Sequence, residues 1–122
     1  MLTEEQEQVI LVNWLESNGY KFSALPLSTY TKNWGVKMKN KRMGVRAGVP
    51  DLMIIVNNRL VFIEMKRIKN SITSKFQKEW IESLNNCNGV GAFVCYGAEE
   101  AKVKIKMIKK LKLISLNRGI EK

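Results

Sequence analysis

The chain has 122 residues, a formal net charge of +10 and a hydrophobic content of 45%. That length predicts a single domain, residues 1–122, with one hydrophobic core. No apolar run approaches the ~20 residues of a membrane-spanning helix and no signal sequence is recognisable, so we expect no membrane partner. The absence of histidine excludes Ser-His-Asp triads and His-ligated zinc, which leaves carboxylates, lysine, hydroxyls or a metal for any catalysis.

The strongly basic balance predicts a polyanionic partner, and nucleic acid supplies the phosphates that such a charge would neutralise. A merely solvated basic surface is the alternative. The two cysteines, Cys87 and Cys95, lie on a predicted helix and in an apolar strand respectively. We therefore expect both to be buried, reduced thiols, which suits an intracellular protein.

The first helix is predicted from Thr3 to Asn18. Thr3 suits the N-cap position, glutamates in the first turn suit the positive end of the helix dipole, and Asn18-Gly19 is a stop signal. The predicted apolar stripe consists of Ile10, Leu11, Trp14 and Leu15. Helix capping by itself accounts for the glutamates.

A short strand is predicted from Tyr20 to Leu27, ending near Pro26. The next stretch, Ser28–Ala47, is long and polar, and a loop of this length in a compact domain is typical of a functional or disordered segment. It contains no acidic residue and is followed closely by Asp51, the only aspartate of the chain.

Basic and aromatic side chains interleave along this stretch. Basic residues contact phosphates, and exposed aromatic rings stack on unpaired bases. For Trp34 the alternative is that its ring anchors the loop to the core. The predicted DNA-binding residues are Lys32, Trp34, Lys37, Lys39, Lys41, Arg42 and Arg46.

Two apolar segments rich in isoleucine and valine, Leu52–Val56 and Leu60–Met65, predict a β-hairpin. Between them, Asn57-Asn58 offers two residues that tolerate φ > 0, as a two-residue turn requires. This turn fixes the register, because each step back along the first strand then pairs with one step forward along the second. Valine, isoleucine and methionine are expected to fill one face.

The opposite face of this hairpin is predicted to carry charge. The register places Asp51 directly opposite Glu64, and alternation puts Lys66 on the same face. Opposed like charges destabilise a sheet, and a hard divalent cation with oxygen ligands neutralises them; a polar rim facing solvent is the alternative. The cation is favoured because Pro50 fixes an extended backbone before Asp51, and because charge in an otherwise apolar strand is costly.

A second helix is predicted over Ser74–Asn86, a strand over Val90–Tyr96 and a third helix over Ala98–Leu113. The second helix is expected to bury Phe76, Trp80, Leu84 and Cys87. The third is expected to bury Ala101, Ile105, Ile108 and Leu111. The lysines of the third helix form either a second DNA-facing surface or a solvated face. The element order αβββαβα predicts an α/β fold with a mixed sheet.

A short sequence motif spans the hairpin. Pro50-Asp51, followed a dozen residues later by Glu64-Met65-Lys66, resembles the PD-(D/E)XK motif. The wider context GVRAGVPDL, then VFIEMKR and FQKEW, resembles the VRR-NUC branch, the virus-type replication-repair nucleases, over about residues 4–97. The resemblance implies a restriction-endonuclease-like core, in which a mixed four-stranded sheet is flanked by helices, and a metal-dependent endonuclease activity.

The resemblance also implies roles for residues of the hairpin. Asp51 and Glu64 would bind Mg²⁺, which Mn²⁺ can replace, with help from the Met65 carbonyl. Lys66 would position the attacking water and stabilise charge that develops on the phosphate.

Two further residues are implied by the family pattern. Gln77 would belong to the active site, although Ser74-x-x-Gln77 also fits a capping box at the start of the second helix. A glutamate of the first helix would complete the metal site. Glu4 fits the pattern Thr-Glu-x-x-x-Gln best, and Glu5 and Glu7 are the other candidates.

Single-domain bacterial and phage members of this branch resemble Holliday-junction resolvases and act as homodimers. The resemblance therefore implies branched DNA as substrate, a role in DNA repair, a C₂ dimer and a cytoplasmic location in a bacterial or phage-infected cell. A flap, nicking or restriction-like nuclease with the same site is the alternative enzyme. A non-catalytic DNA-binding module and a basic scaffold protein are the alternatives in other classes.

Overall fold

The computed structural model describes residues 1–25 and 32–120, which form a mixed four-stranded sheet flanked by helices. The elements are α1 (Glu4–Ser17), β1 (Lys21–Ala24), α2 (Trp34–Arg42), β2 (Leu52–Val56), β3 (Arg59–Lys66), α3 (Lys75–Asn85), β4 (Val90–Tyr96) and α4 (Ala98–Ile120). The strand order is β1-β2-β3-β4, with antiparallel pairing except between β3 and β4, which are parallel. The predicted α/β fold with a mixed sheet is confirmed.

The first helix begins where the sequence predicts, because Thr3 caps it through reciprocal hydrogen bonds with the third helical residue. Leu11 and Leu15 are fully buried, whereas Ile10 is 38% exposed. The expectation for Ile10 is wrong because the buried stripe continues at Glu7, four residues before Leu11. A charged side chain therefore occupies a position where helical periodicity alone predicts an apolar one.

The polar stretch Ser28–Ala47 contains a helix where the sequence predicted a loop. α2 begins after Asn33, whose side-chain oxygen accepts the Val36 N–H at 3.0 Å. None of the α2 residues is buried, so no apolar period marks the helix and its asparagine cap was the only local signal. The strand end predicted near Pro26 lies outside the described residues.

The β2–β3 hairpin has the predicted turn and register. Asn57 and Asn58 have φ values of 52° and 66°, the left-handed pair that a type I′ turn requires. Leu52 pairs with Ile63, as counting back from this turn predicts. The Asn57 side chain also donates to the Lys109 carbonyl at 2.8 Å, which fastens the turn to α4.

The hydrophobic core lies between the sheet and the helices α1 and α4. Its fully buried members include Leu11, Leu15, Leu52, Ile54, Val61, Ile63, Met65, Ala101 and Ile105. Of the residues predicted to face inward from α4, Leu111 is 50% exposed and that expectation is wrong. Within the described ranges, no helix is both long and apolar enough to cross a membrane.

The helix α3, which the sequence predicted as the second helix, is amphipathic, yet none of its residues is buried. It packs against the edge strand β4 and so covers only part of the sheet. Phe76, predicted to be buried, is 57% exposed. Cys87 lies beyond the C-cap residue Asn86 and is also exposed, so the prediction of two buried thiols holds only for Cys95. Burial raises the pKa of the Cys95 thiol to about 12.

Candidate active site

The site lies where the β2–β3 hairpin meets the first turn of α3. Asp51 directly precedes β2, and continuing the ladder by one step from the Leu52–Ile63 pair sets it opposite Glu64, as predicted. Two hydrogen bonds donated by backbone N–H groups hold Asp51. Its side-chain Oδ2 accepts the Met65 N–H at 2.7 Å, and its carbonyl accepts an N–H from the residue after β1 at 2.8 Å.

Three carboxylates converge at this point. Oxygen atoms of Glu4, Asp51 and Glu64 all lie within 4.8 Å of one another. Glu4 is the first residue of α1, and the packing of α1 against β3 brings it to the hairpin. Of the three candidate glutamates in α1, the structure brings Glu4 to this cluster, whereas Glu5 is exposed and Glu7 is bound elsewhere.

Burial and mutual repulsion weaken the acidity of the cluster. Burial, and then the negative charge of Asp51, raise the pKa of Glu64 to about 8. Burial also raises the pKa of Asp51 and of Glu4 above their ordinary values. The charge of Lys66 acts in the opposite direction at all three carboxyl groups. The native fold therefore holds these groups where a full set of negative charges is unfavourable without a further cation.

Lys66 is the cation within the site. Its ammonium lies 3.7 Å from Glu64 Oε2, and the residue is only 7% exposed. Alternation along β3 places the two side chains on the same face, as predicted. Its backbone is fixed as well, because the Lys66 carbonyl accepts the Gly97 N–H at 2.9 Å.

Gln77 performs two tasks at once. Its side-chain oxygen accepts the Ser74 N–H at 2.9 Å and so completes the capping box of α3. Its side-chain nitrogen donates to Glu64 Oε2 at 2.8 Å. The two interpretations of Gln77 offered by the sequence are therefore compatible, because the first turn of α3 lies beside the end of β3.

A cleft of about 650 Å³ opens over these groups. One of its walls depends on Gly48, whose φ of +92° lies in the left-handed region. A Cβ atom there would come within 2.5 Å of the Phe76 carbonyl carbon, so a side chain cannot fit. Trp80 Nε1 also donates to the Ala47 carbonyl at 3.1 Å. These contacts hold the loop before Asp51 against α3.

The predicted DNA-binding residues that α2 carries are all exposed, as are Lys32 before it and Arg46 after it. Trp34 is 73% exposed, which contradicts the alternative in which it anchors the segment to the core. Lys41 and Arg46 line a groove beside the cleft. Of the remaining predicted residues, all but Lys32 belong to α2, and none of them lines the cleft itself.

Sequence reasoning missed the structural roles of Glu7 and Gly48. Glu7 is 5% exposed, and its Oε1 accepts the Ala98 N–H at 3.1 Å, so it caps the N-terminus of α4 across the fold. The sequence feature that could have indicated its burial is its spacing of four residues from Leu11, which puts both on the same helix face. For Gly48, the sequence feature that could have indicated a close backbone contact near the site is its position two residues before Pro50-Asp51.

The donor set of the cluster fits a hard divalent cation. Its three side chains offer carboxylate oxygens, the ligands that Mg²⁺ and Ca²⁺ prefer. The raised pKa values give an independent reason, because a divalent charge relieves the repulsion that raises them.

Residues 2–99 match the VRR-NUC domain family. A solved structure described as a VRR_NUC domain protein is 37% identical in sequence, with a TM-score of 0.68 over 91% of each chain. A search of curated proteins finds no match. The mixed sheet and the motif at the hairpin define a nuclease of the PD-(D/E)XK type. Within that class the chain belongs to the VRR-NUC family, and the predicted membership is confirmed.

Proposed function

We propose that the protein is a Mg²⁺-dependent endonuclease that hydrolyses phosphodiester bonds in branched DNA, with a Holliday junction as the preferred substrate. The observation that carries the proposal is the convergence of Glu4, Asp51 and Glu64 within 4.8 Å of one another beside the buried Lys66. A hydrolase of phosphodiesters needs groups that hold a cation and groups that stabilise phosphate charge, and this cluster offers both.

The three carboxylates would hold the cation. When bound, Mg²⁺ supplies Lewis-acid stabilisation of phosphate charge and lowers the pKa of water. Asp51 is kept in place by the Met65 N–H, and the Met65 carbonyl remains a predicted further ligand. The side-chain amide of Gln77 orients Glu64 by donating to its Oε2. These contacts fix the ligand positions before substrate arrives, which lowers the cost of assembling the site.

Lys66 would act on the substrate. Its ammonium carries three N–H donors and is charged, so it can donate to the attacking water and to a phosphate oxygen on which charge develops. Its near-complete burial strengthens such contacts, because the surrounding dielectric is lower than that of water. The exposed basic residues of α2 would neutralise phosphates further along the DNA.

Branched DNA and a homodimer are proposed together. The described part of the chain contains one carboxylate cluster, whereas symmetric resolution of a junction requires two cuts. A C₂ dimer supplies two clefts with the smallest number of chains. The expected setting is DNA repair or phage replication in the cytoplasm of a bacterial or infected cell.

A flap or nicking nuclease with the same site is the second candidate, because the cleft constrains the chemistry more than the shape of the DNA. The test is cleavage of four-way junction, flap, nicked and linear duplex DNAs of equal length, with Mg²⁺, with Mn²⁺ and with EDTA. We expect fastest cleavage of the junction, little activity on linear duplex and none in EDTA. Lys66→Ala, assayed in parallel, is the control for a contaminating nuclease. Equal cleavage of all DNAs, or activity in EDTA, would contradict the proposal.

A further inference from the structure

A second groove, separate from the carboxylate cluster, lies beside Phe76. It has a volume of about 590 Å³, and its lining residues are Lys41, Val45, Arg46, Ala47, Phe76 and Trp80. Ala47 and Phe76 also line the catalytic cleft, so the two depressions share a wall. A DNA strand that leaves the cleft across this wall would enter the groove.

The groove combines aromatic rings with positive charge. Phe76 is 57% exposed although it sits on the first turn of α3, directly before Gln77. The indole of Trp80 is held in place by its hydrogen bond to the Ala47 carbonyl, which leaves the ring as a fixed apolar surface. Lys41 and Arg46 supply two cationic side chains, and none of the described residues that line the groove is acidic. Aromatic rings next to cations are the elements of sites for unpaired nucleotides.

A third depression beside Phe76 differs from this groove in its charge. Its lining residues are Phe76, Trp80, Ser83 and the acidic Glu79. A phosphate would be repelled by Glu79 and attracted by Lys41 and Arg46. Charge therefore favours the Lys41–Arg46 side of Phe76 for a nucleotide.

We propose that this groove is a nucleotide subsite, in which an unpaired base next to the scissile phosphate stacks on Phe76 and its phosphate contacts Lys41 and Arg46. The proposal rests on the proposed function, since the cleft defines the scissile phosphate. It gives a physical reason for selecting branched DNA. A base inside a continuous duplex already has both faces stacked, whereas a base at a junction or flap is released at lower cost.

The test removes the base and the ring separately and then together. Fluorescein-labelled four-way junctions, each with one abasic residue at a successive position from the crossover, are titrated with protein in EDTA, and affinity is read by anisotropy. Wild type, Phe76→Leu and the ring-preserving Phe76→Tyr are compared. Ile72→Ala is the matched control, because Ile72 is 87% exposed and lines neither depression.

We expect one abasic position to weaken wild-type binding by roughly 5- to 150-fold, the range for loss of one stacked base. Phe76→Leu should weaken binding to the intact junction by a similar factor and should show no further loss at that position. Phe76→Tyr and Ile72→Ala should bind as the wild type does. Unchanged melting temperatures verify that each variant is folded.

Two results would overturn the subsite. One is that the Phe76→Leu and abasic losses multiply at every position, which means that ring and base do not touch. The other is that Phe76→Leu changes the molecular mass measured by sedimentation but not the DNA affinity of each cleft. That result would mean that a second copy of the chain covers Phe76. Binding in EDTA separates this proposal from the function itself. A wild type that shows the coupled loss but never cleaves DNA in Mg²⁺ would contradict the proposed function and leave the subsite intact.

Discussion

The two faces of the β2–β3 hairpin differ in what they bury: one buries apolar side chains in the core, and the other buries charged side chains beside the cleft. On one face Leu52, Ile54 and Ile63 have no exposed surface and pack under α1 and α4. On the other face Glu64 and Lys66 are almost as deeply buried, but they face a cleft and carry charge. Burial on the first face stabilises the fold, whereas burial on the second raises the pKa of Glu64 and so destabilises its charged form. The comparison predicts that stability and catalysis can be changed independently.

The largest effect is expected from Asp51→Asn. The amide keeps the shape of the side chain but removes a negative charge from the cluster, so cleavage of DNA should fall by about 100- to 1,000-fold or more. Binding to DNA in EDTA should persist or strengthen, because a charge that repels phosphate is gone. Single-turnover cleavage and anisotropy measure the two quantities. Cleavage at the wild-type rate would refute the assignment of this face.

The core face should respond in the opposite way to Ile63→Ala. Ile63 is fully buried, so the substitution should lower the free energy of unfolding by about 2–5 kcal/mol, as large-to-small core substitutions do. Urea denaturation measures the loss. The fraction that remains folded should cleave DNA at nearly the wild-type rate, because the side chain points away from the cleft. A folded variant without activity would mean that the two faces are coupled.

The apo protein should lose stability as the pH rises from about 4.5 to about 8. The unfolded Glu64 carboxyl titrates near 4.5, and the folded one titrates at about 8. Between these values the native state binds more protons than the unfolded state, so the free energy of unfolding falls with rising pH. Urea denaturation in EDTA across this range measures the slope. Glu64→Gln serves as the control, and an equal slope in both proteins would assign it to another group.

The smallest effect concerns the exposed surface of α2. Neutralising three of its lysines should weaken binding to all DNA sequences alike and flatten the slope of log K against log salt by at most about 2.7, or 0.9 per phosphate contact. The residues replaced by alanine are Lys37, Lys39 and Lys41. The matched control replaces the α4 residues Lys106, Lys109 and Lys110. A flatter slope in the control alone would place the DNA on α4.

Local chemistry was sufficient to predict the hairpin. Two asparagines in sequence fix a type I′ turn, and the turn fixes every pair of the ladder up to Asp51 and Glu64. The capping role of Gln77 was likewise readable from Ser74 three residues before it. Neither inference required knowledge of how distant elements pack.

Features that depend on packing between distant elements were not readable. The family resemblance favoured Glu4, but local chemistry alone did not, because the position of Glu4 at the cluster depends on where α1 packs against β3. Glu7 accepts a hydrogen bond from Ala98 of α4, 91 residues away in sequence. The apolar face of α3 predicts burial of Phe76, but the helix lies over an edge strand and leaves that ring exposed. α2 has no buried face, so periodicity could not reveal it.

The most direct test of the central claim, that Glu4, Asp51 and Glu64 form a cation site, is the melting temperature of wild type and Asp51→Asn with EDTA, Mg²⁺ or Mn²⁺. A ligand of the native state at a hundredfold excess over Kd stabilises it by about 2.7 kcal/mol, which corresponds to several degrees in a domain of this size. The account predicts that the metal raises the melting temperature of the wild type. Asp51→Asn should melt higher than the wild type in EDTA, because repulsion is relieved, and should gain much less from metal. Equal melting temperatures in EDTA, together with equal shifts on adding metal, would contradict the account.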